Sequence, residues 1–234
     1  MAGGNCVYVP LRVNPQTSVW ELSFDELEKA ISEKTKLIII NTPHNPTGKV
    51  FSLSELEEIA AILRRNPHVT AVTDEVYEHM IYDGKQHLRL ASLPDMWART
   101  ITISSCGKTF SCTGWKTGWA YGHADLIKPI MLANQWVQFS VPTPNQRAIA
   151  DVIEQASKPY QGYASYYAYL TAMYQLKRDH LVASLRAAHL HPYVPEGGFF
   201  IIADTSAHHP DKAYEDIPGP TGESPVTRDW AFAR

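Results

Sequence analysis

Three short runs of β-branched and apolar residues, each ended abruptly by a polar loop, constrain the fold of this chain. They are Leu37-Ile38-Ile39-Ile40, Val69-Thr70-Ala71-Val72-Thr73 and Thr100-Ile101-Thr102-Ile103. Runs this short and β-rich read as strands rather than helices. The first is apolar at every position, the pattern of a strand buried on both faces. Between the first two lies Leu53–Arg65, which puts Leu56, Ile59, Ala60 and Leu63 on one helical face. Ser52-Leu53-Ser54-Glu55 in front of it is a capping box, and Ser23-Phe24-Asp25-Glu26 is another, opening a helix to about residue 34. Gly118–Gly122 reads as one more short strand. Strands alternating with helices predict an α/β fold around a mixed, mostly parallel sheet.

Beyond Gly122 the pattern turns helical. The sequence predicts a helix over 124–139, a second from Pro142-Thr143-Pro144 to about residue 157, and a long third over 160–189. Tyr160, Tyr163, Tyr166, Tyr167, Tyr169 and Tyr174 on the third read as packing residues. Residues 193–204, with Phe199-Phe200-Ile201-Ile202, read as a strand of a second, small α+β domain. The division expected is 1–158 for a large domain and 159–234 for an interdomain helix and the start of the small one. Residues 205–225 are rich in Pro, Gly and charge and read as a loop, with His208-His209 exposed on it. Residues 227–234 begin a helix that has no C-cap and no strand after it, so both domains are expected to be incomplete.

Several function classes are disfavoured at this stage. A net charge of −3 without a basic block argues against a nucleic-acid partner. No apolar run approaches the ~18 residues that a membrane span needs. The start, Met1-Ala2-Gly3-Gly4-Asn5, has neither a basic segment nor an apolar core of a signal peptide. Three cysteines form no disulfide framework, and Cys106 and Cys112 lack the CxxC spacing of a zinc site, so no metal is expected. A cytoplasmic or mitochondrial chain, not a secreted one, fits these features.

The chemistry gathers at the strand ends, where open α/β sheets bind ligands. The first run ends at Asn45, the second at Asp74 and Tyr77, the third at Ser105 and Lys108, with Lys116 following among glycines. Gly107-Lys108-Thr109 has the tail of a nucleotide-binding P-loop, but Thr102 occupies the position of that motif's first glycine. Taken singly, Asn45 could cap a turn, Asp74 a helix, and Lys108 could be a surface charge. Taken together they describe a ligand. It has an anionic group for Ser105 and Lys116, a basic centre for Asp74, an oxygen for Asn45 and Tyr77, and an electrophile for the Lys108 amine. Pyridoxal 5′-phosphate meets each requirement.

Asn45-Pro46-Thr47-Gly48, Asp74-Glu75-Val76-Tyr77, and Ser105-Cys106-Gly107-Lys108-Thr109-Phe110-Ser111 followed by Gly114-Trp115-Lys116-Thr117-Gly118-Trp119 resemble the fold-type-I aminotransferases of class I and II. Residues 41–51, Tyr82-Asp83-Gly84, Ala91-Ser92-Leu93-Pro94 and Glu196-Gly197-Gly198-Phe199-Phe200 resemble the kynurenine–oxoglutarate transaminase branch, also known for cysteine-S-conjugate β-elimination. The resemblance implies that Lys108 carries the cofactor as a Schiff base and shuttles a proton. It implies that Asp74 keeps the pyridine nitrogen protonated, that Tyr77 and Asn45 contact the phenolic oxygen, and that Asn45 also contacts the substrate carboxylate. Ser105 and Lys116 would bind the phosphate. Many relatives carry arginine where Lys116 stands, and lysine lacks its bidentate fork. The resemblance further implies amino-acid and 2-oxo-acid substrates and a homodimer. The family's ring-stacking aromatic and substrate-carboxylate arginine have no counterpart in this sequence. The alternative expectation is therefore a non-catalytic chain that binds the cofactor weakly or pairs with a full-length subunit.

Overall fold

The structure, a computed structural model, describes residues 3–206. The three apolar runs become strands β3 (Leu37–Asn41), β4 (Thr70–Asp74) and β5 (Thr100–Ser105). They lie side by side and parallel, with Asn41 opposite Asp74 and Asp74 opposite Ile103. Strand β6 (Gly118–Gly122) closes the other edge antiparallel, Ser105 opposite Gly118, giving the order β3-β4-β5-β6. A small hairpin, β1 (Leu11–Val13) with β2 (Trp20–Leu22), precedes the sheet.

Helix α1 (Phe24–Ala30) is shorter than its sequence suggests. Its Ser23 cap forms as expected, but Ser32 and Thr35 bond to each other's neighbourhood in a turn that ends the helix early. Helix α2 (Leu53–Arg65) matches the expected limits, and its capping box is complete. Glu55 accepts from the Ser52 N–H at 2.9 Å and also pairs with the buried Lys49 ammonium at 2.6 Å, so one carboxylate ties the β3–α2 loop to its helix. The face carrying Leu56, Ile59, Ala60 and Leu63, with Ile62, is buried against Ile40, Ala71, Leu90 and Met96.

That packing corrects the reading of β3 as buried on both faces. Ile38 and Ile40 join the core, whereas Leu37 and Ile39 are 55% and 72% exposed. Alternation along a strand sends neighbours to opposite faces, and among the described residues α2 covers only one. The covered face holds Ile40, Ala71, Thr73 and Thr102; the opposite face carries Ile39, Ile103 and Asp74.

After β6 come α4 (Ala124–Val137), α5 (Thr143–Ala156) and α6 (Tyr166–Ala187). The long helix begins six residues later than expected. Tyr160 and Tyr163 exchange backbone hydrogen bonds around Gln161 and Gly162, both at positive φ, and the Ser165 hydroxyl caps α6 through the Ala168 N–H. Strands β7 (His191–Tyr193) and β8 (Ile202–Asp204) form a two-stranded ladder. Phe199 and Phe200, expected within a strand, lie outside it. Gly198, at φ +74°, turns the chain and their rings pack on Tyr77 instead. The proposed loop over 205–225, the His208-His209 pair and the helix over 227–234 lie almost wholly outside the described residues.

A seam joins the later elements to the sheet. Gly48 O accepts from both Glu196 N and Gly197 N, at 3.0 and 2.9 Å, and Gly198 N donates to Met80 O at 2.9 Å. Arg178 of α6 grips Asp83 with two hydrogen bonds of 2.6 and 2.8 Å, donates to Pro195 O and covers the Tyr82 ring. Gly48 is at φ +71°, and a Cβ there would stand 2.8 Å from Gly197 O. Gly84 has the same φ with open space around it. Gly48→Ala should therefore destabilise by about 3 kcal/mol, combining left-handed strain with a backbone clash, and Gly84→Ala by only about 1 kcal/mol, as read by urea unfolding. The Arg178 hydrogen bonds hold the Asp83 carboxyl below its usual range against the opposing effect of burial. Its contribution to stability is therefore full above the unfolded value of ~3.9 and fades as pH falls through the lower folded value. Asp83→Asn should reduce the acid dependence of the unfolding midpoint over that window.

Candidate active site

The carboxyl ends of β3, β4 and β5 bring the reactive residues to one rim. Asn41 closes β3 and its side chain organises the loop that follows. Its Nδ2 donates to Asp74 O at 3.0 Å, and its Oδ1 accepts from Asn45 N at 2.6 Å. Asn45 is thereby aimed across the sheet, where its Nδ2 donates to the Tyr77 hydroxyl at 3.4 Å. Gly48, at the end of the same loop, is the anchor of the seam.

Asp74 is the last residue of β4, on the face that α2 does not cover. Its Oδ1 accepts from Val76 N at 3.3 Å, and the other carboxylate oxygen has no hydrogen-bond partner among the described residues. The turn after it buries Tyr77 to 2% exposure. Burial, then the negative charge of Asp74, push the Tyr77 phenol above its ordinary value, and the Asn45 hydrogen bond opposes them. The phenol therefore stays protonated, a donor rather than a base.

Ser105 ends β5 and caps α3 (Cys106–Thr109), its Oγ accepting from Gly107 N at 3.0 Å. The hydroxyl hydrogen remains available to a ligand oxygen. Lys108 sits on this single turn with its ammonium 5.3 Å above the centre of the Phe199 ring, and makes no ion pair among the described residues. Phe199 in turn meets Tyr77 edge-on at 5.2 Å and stacks on Tyr174 at 6.0 Å. One aromatic ring thus lies between the amine and the phenol. Tyr166 of α6 holds the lysine turn from behind: its hydroxyl donates to Thr109 O at 2.8 Å, and its ring stacks on Phe110 at 5.4 Å. Lys116 follows a short helical turn over Thr113–Trp115, in left-handed conformation at φ 53°, exposed and without an ion pair among the described residues. The structure thus brings Lys108 and Tyr77 onto Phe199, Asn45 onto Tyr77, and Asp74 to the strand end that leads into Tyr77, and it puts Ser105 on the Lys108 turn. Lys116 stands further along the same connection.

Two features escaped the sequence. Phe199 reaches Lys108, and Tyr166 the turn that carries it, from later in the chain. The second is a buried polar cluster beneath the rim. Glu75, fully buried, accepts from His87 Nε2 at 2.6 Å and lies 3.3 Å from Arg89 Nε. Arg89 also pairs with Glu78, which accepts from Ser104 at 2.9 Å. Glu75, Glu78 and His87 present ligand atoms within 4.8 Å of one another. The Arg89 guanidinium already bridges both carboxylates, so an ion-pair network accounts for the group. A cavity of about 430 Å³ lined by Arg12, Asn14 and Glu21 lies at the β1–β2 hairpin and shares no lining residue with the rim. Among the described residues no helix is long and apolar enough to cross a membrane.

Comparison with known proteins agrees with this architecture. Residues 1–217 match the family described as aminotransferase class I and II. The chain is 44% identical to kynurenine–oxoglutarate transaminase of Dictyostelium discoideum, over 100% of this chain and 55% of that protein. It is 43% identical to human kynurenine–oxoglutarate transaminase 3, over 90% and 48% of the two chains. Among solved structures, Bna3p of Saccharomyces cerevisiae aligns with a TM-score of 0.84 at 33% identity, covering 94% of this chain and 52% of that one. N-Succinyldiaminopimelate aminotransferase of Mycobacterium tuberculosis aligns with a TM-score of 0.82 at 36% identity, covering 92% and 54%. The chain spans about half the length of the curated relatives it matches. It belongs to the class I and II aminotransferases and has their fold-type-I α/β architecture, built on a mixed, mostly parallel sheet.

Proposed function

We propose that this chain holds pyridoxal 5′-phosphate and takes part in transferring an amino group from a kynurenine-like, glutamine or aromatic amino acid to a 2-oxo acid. The observation that carries the reading is the convergence of an amine without an ion pair among the described residues, a protonated phenol and a carboxylate at two adjacent strand ends, with the Asn45 amide from a third. The donor set fits the group. Asp74 offers a free carboxylate oxygen to a pyridinium nitrogen. Tyr77 and Asn45 offer an O–H and an N–H to a phenolic oxygen. Ser105 and Lys116 offer a hydroxyl and a cation to a phosphate. The bound cofactor supplies an electron sink for the substrate's Cα carbanion.

The protein's own part is to place protons. Asp74 keeps the ring nitrogen protonated, which maximises the sink. Tyr77, kept neutral by its burial, donates to the phenolic oxygen. Lys108 Nζ takes the Cα proton and returns it elsewhere, from its place 5.3 Å above the Phe199 ring. Where the substrate carries a sulfur leaving group at Cβ, the same deprotonation permits β-elimination. The family names of the relatives support the kynurenine-type donor and the 2-oxo-acid acceptor. A homodimer is proposed on the resemblance alone. The 55% coverage of the Dictyostelium relative favours a second reading for this chain in isolation, in which it binds the cofactor without turnover.

Protein mixed with pyridoxal 5′-phosphate and reduced with borohydride should carry a pyridoxyl group on Lys108 by peptide mapping. A label elsewhere, or none, overturns the reading. Transfer from kynurenine to 2-oxoglutarate by the isolated chain would eliminate the non-catalytic version. Lys116→Ala should weaken cofactor binding about tenfold, the worth of one charge-assisted hydrogen bond, and Lys116→Arg should tighten it.

A further inference from the structure

Cys106 and Cys112 bracket Lys108, and their sulfurs lie 3.5 Å apart. Five residues lie between them, but the turn of α3 and Ser111, left-handed at φ 53°, fold the chain back on itself. The Cys112 thiol points at both the sulfur and the carbonyl oxygen of Cys106, each at 3.5 Å. Cys106 is fully buried, with its thiol donating to Thr117 O at 3.0 Å. Cys112 is half-buried, and Cys6 is exposed and remote in sequence. We propose that Cys106 and Cys112 are a redox pair which a low-molecular-weight disulfide converts into an internal disulfide, closing a covalent ring around Lys108.

The geometry asks for little movement. The sulfurs must approach by about 1.5 Å to reach bonding distance, less than a change of rotamer provides. Accessibility sets the order of events. The Cys112 thiolate attacks one sulfur of the small disulfide, forming a mixed disulfide and expelling one thiolate. The Cys106 thiolate then attacks Cys112 Sγ and expels the second. Two protein thiols and one small disulfide become one protein disulfide and two small thiols, which carry away the two protons. Burial, then the contact with Cys106, push the Cys112 thiol up to about 11. Exchange is therefore slow at neutral pH and is best followed in mildly alkaline buffer. The closed ring restrains the Lys108 turn, whose carbonyls already bind Thr113 and Tyr166.

The test uses the whole chain with oxidised glutathione, alkylation of the remaining thiols and tryptic mapping without reductant. Cleavage after Lys108 separates the two cysteines, so a disulfide leaves peptides 100–108 and 109–116 joined, two hydrogens lighter than their sum. That product is the expected one, with Cys6 carrying a glutathione adduct as the accessible control. Cys106→Ser should instead accumulate the adduct on Cys112. The proposal is overturned if Cys6 reacts while Cys106 and Cys112 are both recovered alkylated, or if wild-type Cys112 stops at the glutathione adduct. A second arm rests on the proposed cofactor role. Borohydride trapping of pyridoxal 5′-phosphate on Lys108 should fall several-fold in the oxidised protein, recover with dithiothreitol, and be insensitive to oxidation in Cys112→Ser. Equal trapping in both redox states refutes the restraint on Lys108. Failure of the reduced protein to trap at all counts against the cofactor reading, and the linked peptides still decide the pair.

Discussion

The two hydrogen bonds that Gly48 O accepts from Glu196 and Gly197 fix the distance between the sheet's rim and the chain that returns to it. The place of Phe199 at the candidate site follows from that contact. Gly197 fits between Pro43 and the Met80 carbonyl because it has no side chain, since a Cβ would stand 2.8 Å from each. Glu196 uses its carboxylate on both sides, accepting from Val50 N at 2.9 Å and pairing with Lys85 at 2.6 Å. Gly198 then turns the backbone, with its carbonyl bonded to the Tyr82 hydroxyl, and delivers Phe199 between Lys108 and Tyr77. The loop after β3 and the segment before β8 thus belong to one structural unit, though 146 residues separate Val50 from Glu196.

Electrostatic roles at the rim divide by burial. The carboxylate with an open oxygen, Asp74, stands where a ligand can reach it. Its neighbour Glu75 points the other way into the protein, where His87 and Arg89 compensate it. One Glu75 oxygen and His87 Nδ1 remain without hydrogen-bond partners among the described residues, a desolvation cost that this buried network carries. Adjacent acids in one turn therefore do opposite work: the first keeps an oxygen open at the rim and the second fastens β4 to the segment carrying His87 and Arg89.

Local rules made part of this fold readable in the sequence. The capping box at Ser52, the helical face of Leu56, Ile59, Ala60 and Leu63, and the strand ends at Asn45, Asp74 and Lys108 all depend on neighbours within a few residues. Motif spacing also revealed the family. The misreadings came where long-range packing competes with local preference. Residues 160–165 have helical composition, but Gly162 and the Ser165 cap move the helix start to Tyr166. Phe199 and Phe200 have strand propensity, but the glycines before them and the rings of Tyr77 and Tyr174 draw them out of the ladder. The full apolarity of 37–40 suggested two covered faces; a strand's composition does not say which of its faces its neighbours reach. The proximity of Cys106 to Cys112 was likewise invisible, because their spacing matches no familiar cysteine motif until the α3 turn and the left-handed Ser111 fold it up.

Helix α4 has no buried residue. Trp136 and Val137 at its end are 88% and 87% exposed, with Phe139 just beyond at 79%. Such a surface makes water itself the dominant influence on how the chain behaves in a tube. Sulfate and phosphate salts, which strengthen apolar association, will drive molecules together through this ridge at concentrations that a polar-surfaced domain of similar size tolerates. Mild chaotropes will keep them apart, so the choice of buffer anion governs colloidal behaviour more than the modest net charge does.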